Sequence, residues 1–270
     1  AGGGGGGEGK HKESDGKRKE SAGSESSEGK HGADSVIFHE RFGGKGGSDG
    51  GDVAAAAARW LPGPVDDDKI AACFRGGYRG VVAMDALPPD VAGRVRDAGG
   101  DGAAHRRDRF PGDGHGLGVL ALQKSVAPRQ PYNLGGAYRR VPKGSQPRRL
   151  AFSILVTRND RRTGHVALGS RPRVSAVAAW FILRANGRMG LFAGDHVGYI
   201  EVGSYVPFVW YRVEILLDWT ARVCQLYIDG KLRTDDVPFV GDMVKDVRML
   251  MFDTVDASTC CLIDDVLLES

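Results

Sequence analysis

Residues 209–234 alternate apolar and polar positions with a period of two. Tyr211, Val213, Ile215 and Leu217 share one face, while Arg212, Glu214 and Asp218 fall mostly on the other, the pattern of a half-buried strand. Cys224, Leu226 and Ile228 give a second strand, 223–228, an inner face of its own. A turn at 218–221 joins the two strands. Asp229-Gly230 closes the second, because glycine accepts the positive φ that tight hairpins require. A short strand over 231–233 is expected to follow.

Similar short runs predict strands over 35–38, 70–74, 78–84, 117–123, 137–141, 150–157, 165–168, 176–184, 189–193, 199–202, 247–253 and 260–268. Asn186-Gly187 supplies another hairpin turn. Helical patterning is confined to 53–61, stopped by Pro62 and Pro64, and to a short helix led by Pro88-Pro89. Residues 101–116 read as a Gly/Asp/Arg-rich loop. Regular short strands with glycine-rich turns predict an all-β, two-sheet antiparallel sandwich.

Trp210-Tyr211-Arg212-Val213, Leu217-Asp218, Leu226-Tyr227-Ile228-Asp229-Gly230 and Cys261-Leu262-Ile263-Asp264-Asp265-Val266 follow one another in order. Over about residues 177–268 this resembles the C-terminal half of a concanavalin A-like jelly roll of the laminin-G-like kind. Phe38, Phe42, Gly43 and Gly44 are similar to that family's opening strand. The resemblance implies a jelly-roll sandwich over residues 35–270 and a carbohydrate-binding role. It also implies a structural calcium ion near the junction of the first and last strands, where Glu40, Asp264 and Asp265 offer the hard oxygen ligands calcium prefers. Glucanases share the fold and use paired carboxylates. Their Glu-x-Asp-x-x-Glu strand is absent, so a noncatalytic module is expected rather than a hydrolase.

Composition adds boundaries. With 270 residues, 41% of them hydrophobic, the chain suits one large all-β domain. Residues 1–34 hold almost nothing that builds a core and read as a disordered tail, with His11 and His31 solvated. No run approaches the roughly 20 apolar residues of a membrane helix, so no membrane span is expected. Cys73, Cys224, Cys260 and Cys261 lack zinc-type spacing. They are either buried free thiols or include a disulfide from Cys224 to one of Cys260 and Cys261, since adjacent strand residues point opposite ways.

The net charge of +3 conceals an uneven distribution, with 13 Arg and 2 Lys against three Asp between His105 and Arg173. Arg139, Arg140, Arg148, Arg149, Arg158, Arg161 and Arg162 are candidates to bind sulfate or carboxylate groups of acidic glycans through paired N–H donors. The bland alternative is that they face solvent or meet the acidic strands of the same domain. Charge alone would also suit nucleic acid, which is not the expected partner. Among aromatic residues that would stack on sugars, Trp180, Tyr199, Tyr205 and Trp219 stand out, with Trp219 placed by its turn. Asp235, Asp236, Asp253 and Asp256 fall in predicted turns, and His165 and His196 are isolated, so no catalytic set is nominated. The expected function is a binding module for carbohydrate, the alternative a protein-interaction module.

Overall fold

The hairpin read from the sequence forms as β11 (Tyr211–Asp218) and β12 (Val223–Ile228), paired antiparallel from Val213↔Ile228 to Asp218↔Val223. The computed structural model describes residues 35–40, 59–62, 78–83, 89–98, 118–124, 136–256 and 258–270. The tail at 1–34, the strand at 70–74, the loop at 101–116, Phe42 and Cys73 lie outside the described residues.

Turn chemistry holds this hairpin in register. Asp218 Oδ1 accepts hydrogen bonds from the backbone N–H groups of Thr220 and Ala221, both at 2.8 Å. Asp229 and Gly230 both take positive φ, 53° and 75°, the pairing that a two-residue hairpin turn needs. The strand that follows, β13 (Lys231–Pro238), is longer than the 231–233 expected. It is an edge strand, and its exposed charged side chains disfavour pairing of the open edge with another strand.

Two antiparallel sheets pack as a β-sandwich, as the strand pattern predicts. The remaining strands are β1 (Val36–Glu40), β2 (Leu61–Pro62), β3 (Tyr78–Ala83), β4 (Gly118–Lys124), β5 (Ala137–Ser145), β6 (Arg149–Val156), β7 (Thr163–Gly169), β8 (Val177–Leu183), β9 (Arg188–Phe192), β10 (Tyr199–Ser204), β14 (Val247–Asp253) and β15 (Thr259–Glu269). The eight-stranded sheet runs β13-β12-β11-β6-β15-β4-β3, with β1 paired to β15. The seven-stranded sheet runs β10-β9-β8-β7-β14-β5-β2. Leu61, expected at the end of a helix, instead pairs with Tyr138 in the two-residue β2.

The core lies between the sheets, where inward positions alternate with outward ones along strands such as β11 and β12. Phe152 of β6 meets Phe181 of β8 at 5.9 Å and Phe252 of β14 at 5.7 Å, and Trp60 packs on Phe252 at 5.2 Å. Edge-to-face and tilted contacts of this kind add to area burial. Cys224 and Cys261 join this core as free thiols, so the disulfide alternative is not the one formed. Burial pushes the Cys224 thiol up to about 12 and that of Cys261 well above its ordinary value.

Helix α1 (Pro89–Ala98) covers the outer face of the eight-stranded sheet. Proline suits its first position, where the missing N–H would have no partner anyway, and Asp90 complements the helix N-terminus. Val91 and Ala92 pack over Val119, Ala121, Leu155, Cys260 and Leu262, and Arg94 lies 3.6 Å above the Phe208 ring. Among the described residues no helix is long and apolar enough to cross a membrane.

Candidate functional site

The carboxylates expected to hold calcium are engaged by basic side chains. β1 alternates so that Phe38 and Glu40 point inward. Opposite them, the alternation of β5 turns Arg139 toward the interior between Ala137 and Val141. Arg139 stacks 3.8 Å from the Phe38 ring centroid and donates to Glu40 Oε1, joining the two sheets through a buried ion pair. Arg59 completes the cluster, donating to Oε1 at 2.7 Å and Oε2 at 3.2 Å. Burial lowers the Arg139 pKa against the opposing pull of Glu40.

Asp265 occupies a β-bulge, since β15 spends three steps from Asp264 to Leu267 against two on β6, from Ser153 to Ala151. Its φ of 47° is one that aspartate tolerates better than most residues. The bulge brings its carboxylate to Arg212 Nη1, 2.8 Å from Oδ2, and to His39 Nε2, 2.7 Å from Oδ1. Asp264 Oδ1 accepts the Asp265 backbone N–H at 2.7 Å. A calcium ion would have to displace these guanidinium partners, and among the described residues no three His, Cys, Asp or Glu side chains gather as a metal set. Glu40 and Asp265 are thus already paired with cationic side chains.

The seven arginines are not brought together. Arg149 lies on the outer face of the eight-stranded sheet, donating to Glu214 at 2.7 Å and Glu269 at 2.9 Å, and the Glu214 bond raises its pKa. Arg158 makes a forked pair with Asp160 at 2.8 and 2.6 Å, which holds that carboxyl down to about 2. Arg162 grips Asp256 through its side chain at 2.9 and 3.1 Å and its backbone N–H at 2.8 Å. Burial opposes ionisation of Asp256, but these bonds outweigh it and its pKa falls. Arg148 is exposed at the start of the β6 ladder, its backbone bonded to Glu269 and Leu217. Arg161 is exposed in the β6–β7 turn, and Arg140 is exposed on β5.

The aromatic candidates divide. Trp219 does sit in the 218–221 turn, but its indole N–H donates to Pro147 O at 2.7 Å and its ring packs 5.0 Å from Phe239. Tyr205 is buried, with its hydroxyl bonded to Arg184 O at 2.8 Å. Trp180 and Tyr199 meet on a single surface, the outer face of the seven-stranded sheet.

That face is built by alternation. β8 places Phe181 and Leu183 in the core and turns Trp180 and Ile182 outward. Beside them β7 contributes His165, whose ring lies 5.9 Å from Trp180, and β9 contributes Phe192, at 5.3 Å. Tyr199 of β10 pairs with Phe192 in register. Its ring leans over Gly190, where an added Cβ would lie 1.9 Å from Ile200 O and 3.1 Å from the tyrosine ring. Its hydroxyl reaches Ile182 O at 3.5 Å. Burial raises the Tyr199 pKa, opposed by the nearby Arg184. Trp180 is buried, and its indole N–H has no acceptor among the described residues. His165, Ile182, Phe192 and Tyr199 are half-buried, while Arg184, Arg188 and Glu201 stand exposed around them.

Sequence reasoning nominated Trp180 and Tyr199 but not the surface that joins them to His165 and Phe192, for a definite reason. The run Val177–Leu183 is apolar throughout, so its pattern does not say which face meets the core. Asp253, expected in a turn, is the last residue of β14, buried and opposite His165 on the same face. Asp235 and Asp236, also expected in turns, lie within β13.

No protein-family model matches the chain, and no curated protein sequence does. Solved structures resemble it at low identity. A sialidase superposes with TM-score 0.45 and 18% identity over 56% of this chain and 15% of that one. The Caenorhabditis elegans galectin LEC-6 gives 0.36 and 16% over 49% of this chain and 89% of the galectin. The binding domain of botulinum neurotoxin serotype D gives 0.37 and 16% over 49% and 36%. The chain thus spans a small part of the sialidase, and the likeness is one of β-sandwich architecture alone.

Proposed function

We propose that this domain is a noncatalytic carbohydrate-binding module whose ligand lies on the outer face of the seven-stranded sheet. The observation that carries this reading is the contiguous set of His165, Trp180, Phe192 and Tyr199 across β7 to β10, rimmed by exposed charged side chains. A sugar ring offers an apolar C–H face that packs on such rings and a belt of hydroxyls that need paired donors and acceptors. Arg188 and Glu201 supply those at the rim. The laminin-G-like order of the C-terminal strand motifs supports the same reading.

The two carboxylates of this face support a binding role over hydrolysis. Glu201 on β10 and Asp253 on β14 stand four strands apart, roughly 19 Å at the usual strand spacing. Two-carboxylate glycosidases need about 5–9.5 Å.

A protein-interaction reading has an observation of its own. Arg222 donates to the carbonyls of Gly241, Asp242 and Val244 at 2.8 to 2.9 Å and pins a loop that presents Met243 at 77% exposure.

A glycan array carrying neutral, uronic and sulfated sugars tests the proposal. Binding is expected, and Phe192→Ala should weaken it about tenfold, the equivalent of about 1.4 kcal/mol from a lost stacking surface. Absence of binding to any glycan at millimolar concentration would overturn the carbohydrate reading and leave the Met243 loop as the functional surface.

A further inference from the structure

Arg184 and Arg188 face each other at the closed end of the β8–β9 hairpin, on the same outer face as Tyr199. The Arg184 backbone is fixed on both sides. Its N–H donates to Arg188 O at 2.8 Å, and its carbonyl accepts from Gly187 N at 3.2 Å and from the buried Tyr205 hydroxyl at 2.8 Å. Gly187 adopts the positive φ of 72° that the Asn186-Gly187 turn requires, and Asn186 Oδ1 accepts the Arg188 N–H at 3.2 Å. The guanidinium of Arg184 therefore projects from a rigid corner.

Its environment is unbalanced. The guanidinium carbon lies 4.8 Å from the Tyr199 ring centroid, within cation–π range, and the side chain is exposed. Glu201, the carboxylate on β10 nearby, pairs with Arg188 at 3.2 Å. Two guanidinium groups thus meet one carboxylate, and among the described residues Arg184 has no acidic partner.

We propose that the ligand of this face is an acidic sugar, with its anionic group held on the N–H edge of Arg184 and its ring set against Tyr199 and Phe192. This rests on the carbohydrate reading above and adds the charge of the ligand and the residue that selects it. A guanidinium held near an aromatic ring and without an acidic partner among the described residues suits a planar carboxylate or a sulfate oxygen pair, which accept its paired N–H donors. The selecting residue is thereby a different arginine from the seven that the sequence nominated.

Calorimetric titration of the full chain with a glucuronic-acid-terminated trisaccharide, its glucose-terminated counterpart and a 6-sulfated counterpart tests this. The acidic sugars are expected to bind about tenfold or more tightly than the neutral one, with affinity falling as salt rises. Arg184→Met, which keeps the apolar stem, should abolish the preference, so that acidic and neutral sugars bind equally. Arg184→Lys should keep part of it. A stronger preference for the carboxylate or for the sulfate identifies which anion the fork takes. Equal affinity for acidic and neutral sugars, or a preference that survives in Arg184→Met, would overturn this assignment while leaving the carbohydrate reading standing. Failure of all three sugars to bind would remove both. Circular dichroism of each variant confirms that a lost preference is not lost folding.

Discussion

Glu40→Ala is expected to destabilise the domain by about 3–5 kcal/mol, as seen when one partner of a buried ion pair is removed. Glu40 is 4% exposed, and its partner Arg139 has a side chain only 16% exposed, wedged between Phe38 and the opposite sheet. Removing the carboxylate leaves that guanidinium desolvated and unmatched, whereas Arg59, 47% exposed, can turn to water. The double variant Glu40→Leu with Arg139→Met removes both charges and keeps the volume. It should recover most of the loss, because the pair's attraction repays little more than its desolvation. Urea unfolding of wild type, both single variants and the double variant gives the cycle. A Glu40→Ala cost within 1 kcal/mol of zero would show that the pair is hydrated rather than buried.

Phe152→Ala should cost about 3–5 kcal/mol, the range for deleting a buried aromatic ring. Phe152 is fully buried at the centre of the sandwich and bridges the sheets through edge contacts with Phe181 and Phe252. The cavity left behind is lined by side chains from both sheets, whose backbones are locked in ladders and cannot close in. Thermal unfolding should shift down accordingly. Phe152→Leu, which refills most of the space, should lose less. Equal losses for the two variants would show that the site relaxes and that the sheets are not held apart by their packing.

Much of the sandwich was legible because its strands obey period-two alternation and its turns carry the residues that positive φ demands. β11, β12 and β14 fall where the pattern places them, and Asp229-Gly230 and Asn186-Gly187 both turn as expected. The pattern failed where a charged residue points inward. In Ala137-Tyr138-Arg139-Arg140-Val141 the period puts Arg139 in the interior with Ala137 and Val141, but its charge disguised it as a surface ligand residue. The Glu40 partner lies 99 residues away, and no local signal links the two. The same holds for Asp265, whose bulge depends on register with β6 and whose charge is met by Arg212 of β11. Trp219 was placed in the right turn, yet its indole reaches Pro147 across 72 residues. The candidate binding face escaped notice because Val177–Leu183 is apolar on both sides, and only the sheet order tells outward from inward.

Tryptophan indole resonances in nitrogen-15 proton correlation spectra, followed during titration with an oligosaccharide that binds on the array, test the central claim most directly. Trp180 lies in the proposed ligand face with an indole N–H that has no acceptor among the described residues, whereas the Trp219 N–H is bonded to Pro147 O. The account predicts that the Trp180 indole signal shifts in step with binding, together with the backbone amides of His165, Ile182, Phe192 and Tyr199, while the Trp219 indole signal stays in place. Shifts confined to the eight-stranded sheet or to the Met243 loop, with Trp180 unmoved at saturation, would contradict it.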